Sequence, residues 1–577
     1  MKKFLLPLLA IALGLLTLWM VPHYWYPRPV QLWLYNWLGA SSYVAPPKTA
    51  RLPPSPAGIT EEDECPPDRE GWRKAQVIEG VQIDQALTCV VDNPYLIAAV
   101  VKGTNNVSAD TLMRSGLAPD AVIKGRDLDG DGDPDEIEIH LEATELNGDS
   151  PDLPIPVPGY SIAPGVQPGF WVFAPKTVGM STENIISMKA NPLLRLPSPA
   201  IRIEAGDHVK IVLENTHYLP HTIHFHGVDH PYHPLAHGFV DKDVGVLGKP
   251  GGDGVPETSE LPAMPGRSQV YYLNPRQPGT FFYHCHVQPQ VHMMMGLQGL
   301  FIVEPNRPHN DLQTLNVGDG QVRHPSVAVH EKYAAEYDLH YEDADKILHK
   351  LIQQHNDPRL IVEAQQQYNI THSQPNYYLL NGRSFPYTFQ ESLITVKPNE
   401  KVKLRVLNGG QEEIYLHTHG HKVMITHYDG VEANPAAQLL KDVVPIGPAE
   451  RVDLELNTTN DGLHSYGPGI WMMHDHREAG FTTDGIHPGG DVSAIAYEGY
   501  LRPDGFPKTS GMQWKKFFSP DYYVRKTPIW EDYDPAGMLG KIAGTGYIIP
   551  RYITLGLVFG AFMAVLLVFW RTRRQVT

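Results

Sequence analysis

The chain has 577 residues, with 51 Gly, 52 Pro and 28 Tyr, which suits several turn-rich β domains and excludes a single small core. Its net charge is −17, and no basic patch in the body of the chain suggests nucleic acid; an acidic surface concentrates cations instead. Only three cysteines are present, too few for a disulfide-stapled scaffold.

Met1-Lys-Lys precedes an uncharged apolar run from Phe4 to Val21. That is slightly short of the roughly 20 residues a span needs, but the following Trp and Tyr residues can extend it into the membrane interface. No Ala-x-Ala cleavage site is evident, so a retained anchor over residues 1–25 is favoured over a cleaved signal. Residues 45–64 are a Pro-rich linker.

Residues 65–158 read as an extra β-rich module without a His-x-His motif. Cys65 and Cys89 can pair there in an oxidising compartment, a loop closure worth about 3 kcal/mol, or remain two free thiols. Asp127, Asp129, Asp131, Asp133 and Asp135 alternate with Leu, Gly and Pro, as ligands of a calcium loop do. The full EF-hand spacing is not met. The segment is therefore either a candidate calcium loop or an acidic turn before the alternating strand that starts at Glu136.

Short alternating strands at regular spacing mark a first sandwich over residues 160–305, and a second over 375–500. Residues 227–262 form a long Gly/Pro/His loop with His230, His233 and His237, suited to a binding wall. Residues 306–374 connect the sandwiches, with helical periodicity from Asp343 to Gln354, and residues 501–547 read as a stalk. Tyr552 to Trp570, within a predicted helix over 548–571, is continuously apolar and is followed by Arg571-Thr-Arg-Arg574. Basic outer ends place both termini in the cytoplasm and the bulk of the chain outside, on the periplasmic side in a bacterium.

The chemistry centres on Gly279-Thr-Phe-Phe-Tyr-His284-Cys285-His286. On a strand, Cys285 faces one side and His284 and His286 the other, so one segment can serve two metal sites. A thiolate among imidazoles reads as copper chemistry. The His-x-His device recurs at His224/His226, His417/His419 and His474/His476. Random placement of 28 His predicts about 1.4 such pairs; the chain has five, counting His419/His421.

These four motifs, with Asp253-Gly-Val-Pro256, Met264-Pro-Gly266 and Asn381-Gly-Arg-Ser-Phe-Pro386, resemble the multicopper oxidases, over residues 165–305 and 375–500. The resemblance implies an all-β fold of two cupredoxin-like Greek-key sandwiches, here with the extra module and a transmembrane helix at each end. It implies four coppers per functional site. His221, Cys285 and His292 would hold the type 1 copper, with Leu297 as a non-ligating axial neighbour and Met295 as the rival. His224 and His417 would hold the type 2 copper; His226, His284, His286, His419, His474 and His476 would hold the type 3 pair. His292 lies seven residues after Cys285, a longer loop than many family members have. In the second half Asp475 replaces the Cys and Ile414 stands where His221 does, so only the first sandwich keeps a blue site.

The function so implied is one-electron oxidation of a phenol or low-valent metal ion coupled to reduction of oxygen to water. A cluster shared between the first sandwich of one subunit and the second of the next would make a homotrimer, membrane-bound through two helices per chain. The rival readings are a copper nitrite reductase, for which paired His at all four places are superfluous, and a non-enzymatic copper carrier, which has no need of Cys285 between two His.

Overall fold

The computed structural model describes residues 121–148, 159–176, 195–228, 252–309, 326–355, 358–503, 505–509 and 514–523, and parts of 76–83, 314–322 and 557–573. The expected anchor over 1–25, the linker over 45–64, Cys65, Cys89, and His230, His233 and His237 lie outside the described residues.

A hairpin of β1 (Gln76–Ile78) and β2 (Val81–Ile83) precedes the first sandwich. That sandwich has two five-stranded sheets. One is built from β3 (Val122–Lys124), β4 (Glu136–Leu146), β5 (Phe170–Pro175), β7 (His208–Asn215) and β9 (Ser268–Leu273). The other runs in the order β12-β6-β11-β10-β8, from β6 (Ala200–Glu204), β8 (His224–His226), β10 (Gly279–His284), β11 (Gln298–Glu304) and β12 (Thr314–Asn316).

The second sandwich repeats this plan. Its larger sheet joins β13 (Gly320–Val322), β14 (Ala335–Ala344), β15 (Tyr377–Leu380), β17 (Lys401–Asn408), β19 (Val423–Tyr428), β20 (Val431–Glu432), β21 (Leu439–Lys441) and β23 (Arg451–Asn457). The smaller has the order β16-β25-β24-β18-β22, from β16 (Ile394–Val396), β18 (Ile414–Thr418), β22 (Val443–Ile446), β24 (Ile470–Asp475) and β25 (Ser493–Tyr497). The parallel pairs β4/β7 and β6/β11 of the first sandwich return as β14/β17 and β16/β25. This is the all-β cupredoxin-like arrangement expected.

Five sandwich strands, β3, β4, β12, β13 and β14, sit outside the segments that the sequence assigned to the sandwiches. The strand β4, placed in the extra module, pairs in parallel with β7 from Glu136↔His208 to Ala143↔Asn215. The strand β14, placed in the connector, pairs in parallel with β17 from Ala335↔Val402 to Tyr341↔Asn408. Parallel neighbours are necessarily distant in sequence, so a Pro-rich stretch after β4 reads as a boundary although the strands before and after it, β4, β5 and β7, share one sheet. The helical turn expected from Asp343 to Gln354 forms at Lys346–Gln353, capped by the Asp345 side chain.

Alternation explains how strands covered on both faces are built. On β17, Val402, Leu404 and Val406 enter the second core, while Lys403 and Arg405 are buried on the opposite face. On β14, Tyr337, Leu339 and Tyr341 enter that core, while Glu336, Asp338, His340 and Glu342 face away from it and are also buried. The far faces meet the first sandwich in a seam. Its apolar part packs Ala200, Phe282, Leu300 and Ile302 against Leu407. Its polar part sets Arg202 against Glu304, Glu336 and Asp338, and Arg405 against Glu336 and Asp453.

Among the described residues no helix is long and apolar enough to cross a membrane. The two terminal spans expected from sequence are therefore not seen as such. The first is outside the described residues; the second is described in pieces between 557 and 573, all helical.

Candidate metal centre

Strand β10 presents alternating faces. Phe281, Tyr283 and Cys285 enter the first core, whereas Phe282 turns to the seam. Cys285 Sγ lies 3.5 Å from His221 Nδ1 and 3.5 Å from His292 Nδ1, and the two Nδ1 atoms are 3.3 Å apart. All three residues are buried. His221 is pinned by reciprocal backbone bonds with Ala263. The long loop to His292 is taken up by a helical turn, Pro289–His292, whose His292 N–H donates to the Gln288 carbonyl at 3.0 Å. The backbone N–H of Cys285 donates to the Leu297 carbonyl at 3.0 Å, and both Leu297 and Met295 are fully buried beside the site.

This trio fits a soft cation. Without one, burial pushes the Cys285 thiol up to about 12 and holds His292 down at about 3. Burial, with His217 and His292, also drives His221 well below its usual range. Three uncharged donors thus converge with their lone pairs facing one another, an arrangement that a thiolate-binding metal relieves.

The other histidines gather in two sets. His224 stacks edge-on with His226, His284 and His286 at centroid distances of 5.0, 5.4 and 5.3 Å, and His226 Nε2 is 2.9 Å from His284 Nε2. In the second sandwich His417 meets His419, His474 and His476 at 4.7, 5.4 and 5.3 Å, and His419 Nε2 is 3.2 Å from His474 Nε2. Carbonyl oxygens orient the rings identically in both halves. The Nδ1 atoms of His224 and His417 bond the carbonyls of Asp253 and Asp442, and those of His284 and His474 bond the carbonyls of Cys285 and Asp475. Each such bond fixes Nδ1 as the protonated nitrogen and leaves Nε2 free to ligate. Burial holds His226 and His284 near 3 and His474 near 4, so these rings are neutral.

The tight ligand groups are His224/His226/His284 and His417/His419/His474, and among the described residues no such group draws on both halves. The second set opens onto a cavity of about 260 Å³ lined by His417, His419, His421, Asp442, His464 and Trp471.

The lost blue site of the second sandwich is filled. Asp475 is fully buried, accepts from Arg477 Nε at 2.7 Å and from the Tyr415 N–H at 2.9 Å, and Ile414 joins the core.

The acidic loop divides. Asp127, Asp129 and Asp135 approach one another, while Asp131 and Asp133 stay outside the group. Asp127 already accepts from Gly130 N–H at 2.6 Å and Gly132 N–H at 3.0 Å, and Asp135 from Asp129 N–H at 3.1 Å. These bonds close the loop on its own backbone, with three carboxylates brought together.

Sequence reasoning missed two neighbours of the blue site. His217 Nδ1 lies 2.8 Å from His221 Nε2, and the Trp171 ring meets those of His217 and His292 at 4.9 and 5.1 Å. The spacing His217-x-x-x-His221 was the available signal for the first.

A family model described as multicopper oxidase matches residues 172–307 and 359–484. The iron transport multicopper oxidase FET3 of Gibberella zeae is 24% identical over 334 residues, covering 52% of this chain and 44% of that protein. Laccase ustL of Ustilaginoidea virens is 31% identical over 116 residues, covering 20% of this chain and 15% of that protein. The chain thus spans less than half the length of these curated relatives. A solved blue copper oxidase from Nitrosomonas europaea is 27% identical, with a TM-score of 0.43, covering 67% of this chain and 93% of that one.

Proposed function

Because the chain belongs to the multicopper oxidase family, we propose that it oxidises a small donor, a phenol or a low-valent metal ion, and passes the electrons to oxygen. The observation that carries this reading is the convergence of Cys285 Sγ with the Nδ1 atoms of His221 and His292, with His284 in the neighbouring imidazole set. His221, Cys285 and His292 would hold the type 1 copper, His224 and His417 the type 2 copper, and His226, His284, His286, His419, His474 and His476 the type 3 pair. Copper bound there supplies one-electron oxidation of the donor and four-electron reduction of oxygen to water.

The chain's own residues do three things toward this chemistry. Cys285 is covalently continuous with His284 and His286, so one stretch of backbone links the two ligand sets. The four carbonyls set the ring tautomers before any metal arrives. The burial of His221, Cys285 and His292 keeps water off the donor-side site.

The assembly we propose is a homotrimer in which the first sandwich of one subunit faces the second sandwich of the next. Two half-sets that, among the described residues, form no common ligand group support it. So do Leu463 and Tyr466, exposed by 60 and 57% around the open half-site, an apolar rim that a neighbour would cover. Heterologous contacts of this kind close into rings. We propose membrane attachment through the apolar terminal runs, with the sandwiches extracytoplasmic; the exposed Leu557, Phe562, Phe569 and Trp570 of the last run support it.

Copper content, the thiolate-to-copper absorption band and oxygen uptake with a panel of phenols, cuprous and ferrous ions test the activity. The expected result is about four coppers per chain and a band that Cys285→Ser abolishes together with oxygen uptake. Nitric oxide from nitrite without oxygen uptake would replace this reading with nitrite reduction. A copper-loaded protein lacking both the band and turnover would leave only a storage role.

A further inference from the structure

The two imidazoles facing Cys285 are held in different ways. The His292 ring meets the edge of Trp171 at 5.1 Å. His221 is also tied through a polar side chain. With Nδ1 turned to Cys285, its ring proton sits on Nε2 and is given to His217 Nδ1 at 2.8 Å. Accepting at Nδ1 requires a neutral His217 with its own proton on Nε2, which faces a Glu145 carboxylate oxygen at 3.8 Å. Glu145 is held in turn by the Tyr218 hydroxyl, which donates to it at 2.6 Å, and its side chain is 29% exposed. Trp171 and Tyr218 cover the faces of His217 at 4.9 and 3.8 Å, so the ring has one orientation.

We propose that His217 is a positioning residue of the blue-copper site, which fixes the tautomer of His221 and links that ligand to the partly exposed carboxylate of Glu145. This rests on the copper reading above. A hydrogen bond accepted from the far nitrogen of a ligating imidazole makes the ligand more electron-donating, which favours the oxidised metal. The line Glu145–His217–His221 therefore sets the potential of the site from the protein surface inward. No conversion of bonds is involved; the protons stay on the nitrogens named.

The test uses the full copper-loaded protein and equilibrium with a redox mediator of fixed potential, together with the visible and paramagnetic spectra of the blue site. His217→Phe keeps a flat ring and loses the acceptor; the equilibrium constant for reduction of the site is expected to rise at least fivefold, with an altered spectrum. His217→Asn presents an oxygen close to where Nδ1 was and is expected to restore most of the parent value. Glu145→Gln, on the partly exposed end, is expected to shift the constant by less than His217→Phe and in the same direction. Parent-like spectra and potential in His217→Phe would overturn the proposal, leaving the contact as packing alone. Equal shifts in His217→Asn and His217→Phe would also overturn it, because restoring the acceptor would then do nothing. If His217→Phe fails to fold, His217→Asn and Glu145→Gln decide: a Glu145→Gln shift above the His217→Asn value supports the line, and two unshifted variants overturn it. A parent protein with no blue band is a separate failure, that of the copper reading itself.

Discussion

Thr280 of the first sandwich donates its hydroxyl to Asp453 of the second at 2.6 Å, and the same hydroxyl accepts from Arg405 at 2.8 Å. Thr280 lies on the strand that ends in His284, so the strand leading into the Cys285 cluster is fastened directly to the partner sandwich. Around it, Arg202, Arg405 and Lys403 face Glu304, Glu336, Asp338 and Asp453, all buried. Burial works against ionising Glu336, but Arg405, Arg202 and Lys403 outweigh it and hold this carboxyl well below the usual range.

Removing one partner leaves uncompensated buried charge, which costs far more than a surface pair. Arg405→Met is expected to destabilise the sandwich pair by about 3–5 kcal/mol. Denaturant unfolding followed by tryptophan fluorescence measures it. A loss below about 1 kcal/mol, the scale of a surface pair, would mean that the seam is wet and the network screened.

The shared-cluster assembly predicts complementation between two dead proteins. His224→Ala spoils the first-sandwich half-set and His417→Ala the second. Each alone is expected to lack oxygen uptake. Refolded or co-expressed together, they pair an intact first sandwich with an intact second one at about a quarter of random interfaces, by simple combination in a closed ring. Recovery toward a quarter of parent activity is expected. No recovery in a mixture whose mass shows mixed trimers would contradict a cluster shared between subunits.

The four paired-His motifs and Cys285 were legible because each is local: two ligands on one strand are two residues apart whatever the rest of the chain does. The sandwich pattern was legible for the same reason, as Val402, Leu404 and Val406 alternate. What could not be read is pairing at a distance. Strand β4 finds β7 across a segment that looks like a linker, and nothing local to Glu136–Leu146 marks its parallel neighbour. The seam was hidden too. Arg202 and Glu336 on alternating strands look like the wet face of a sheet, and only their mutual pairing makes them buried. His217 escaped because its partner is the far nitrogen of His221, and the four-residue spacing alone does not say that the two rings meet.

A pH-sensitive feature lies on β14. Burial, then the nearby Asp343, pushes Glu342 up to about 8, and burial pushes Asp343 to about 7. His340, with Nε2 3.6 Å from Glu342, is held near 3 by burial, so the pair is neutral. A free carboxyl titrates near 4.3. Between about pH 4.3 and 8 the folded chain therefore holds a proton that the unfolded chain has lost. Stability is fully present below the lower value and falls as pH rises through the upper one, by at most about 1.4 kcal/mol per pH unit for each group. Glu342→Gln is expected to flatten that decline and to be the more stable protein at pH 8 to 9. Unfolding curves across pH 5 to 9 compare the two; identical slopes would show that Glu342 is already ionised.

The axial neighbour of the blue site is the last point the chain decides by side chain alone. Leu297 and Met295 are both fully buried, and the Leu297 carbonyl is already bonded to the Cys285 N–H. A leucine gives no electrons to a metal, and its absence as a ligand favours the reduced state. If Leu297 is the axial group, Leu297→Met adds a weak thioether and lowers the potential, with about 59 mV for each tenfold change in the one-electron constant, while Met295→Leu changes little. If Met295 already reaches the metal, the pattern reverses: Met295→Leu raises the potential and Leu297→Met leaves it near the parent value. The hyperfine splitting of the blue signal in the two variants separates the cases. Both side chains are apolar and of similar volume, so neither exchange is expected to cost more than about 1.5 kcal/mol of fold stability.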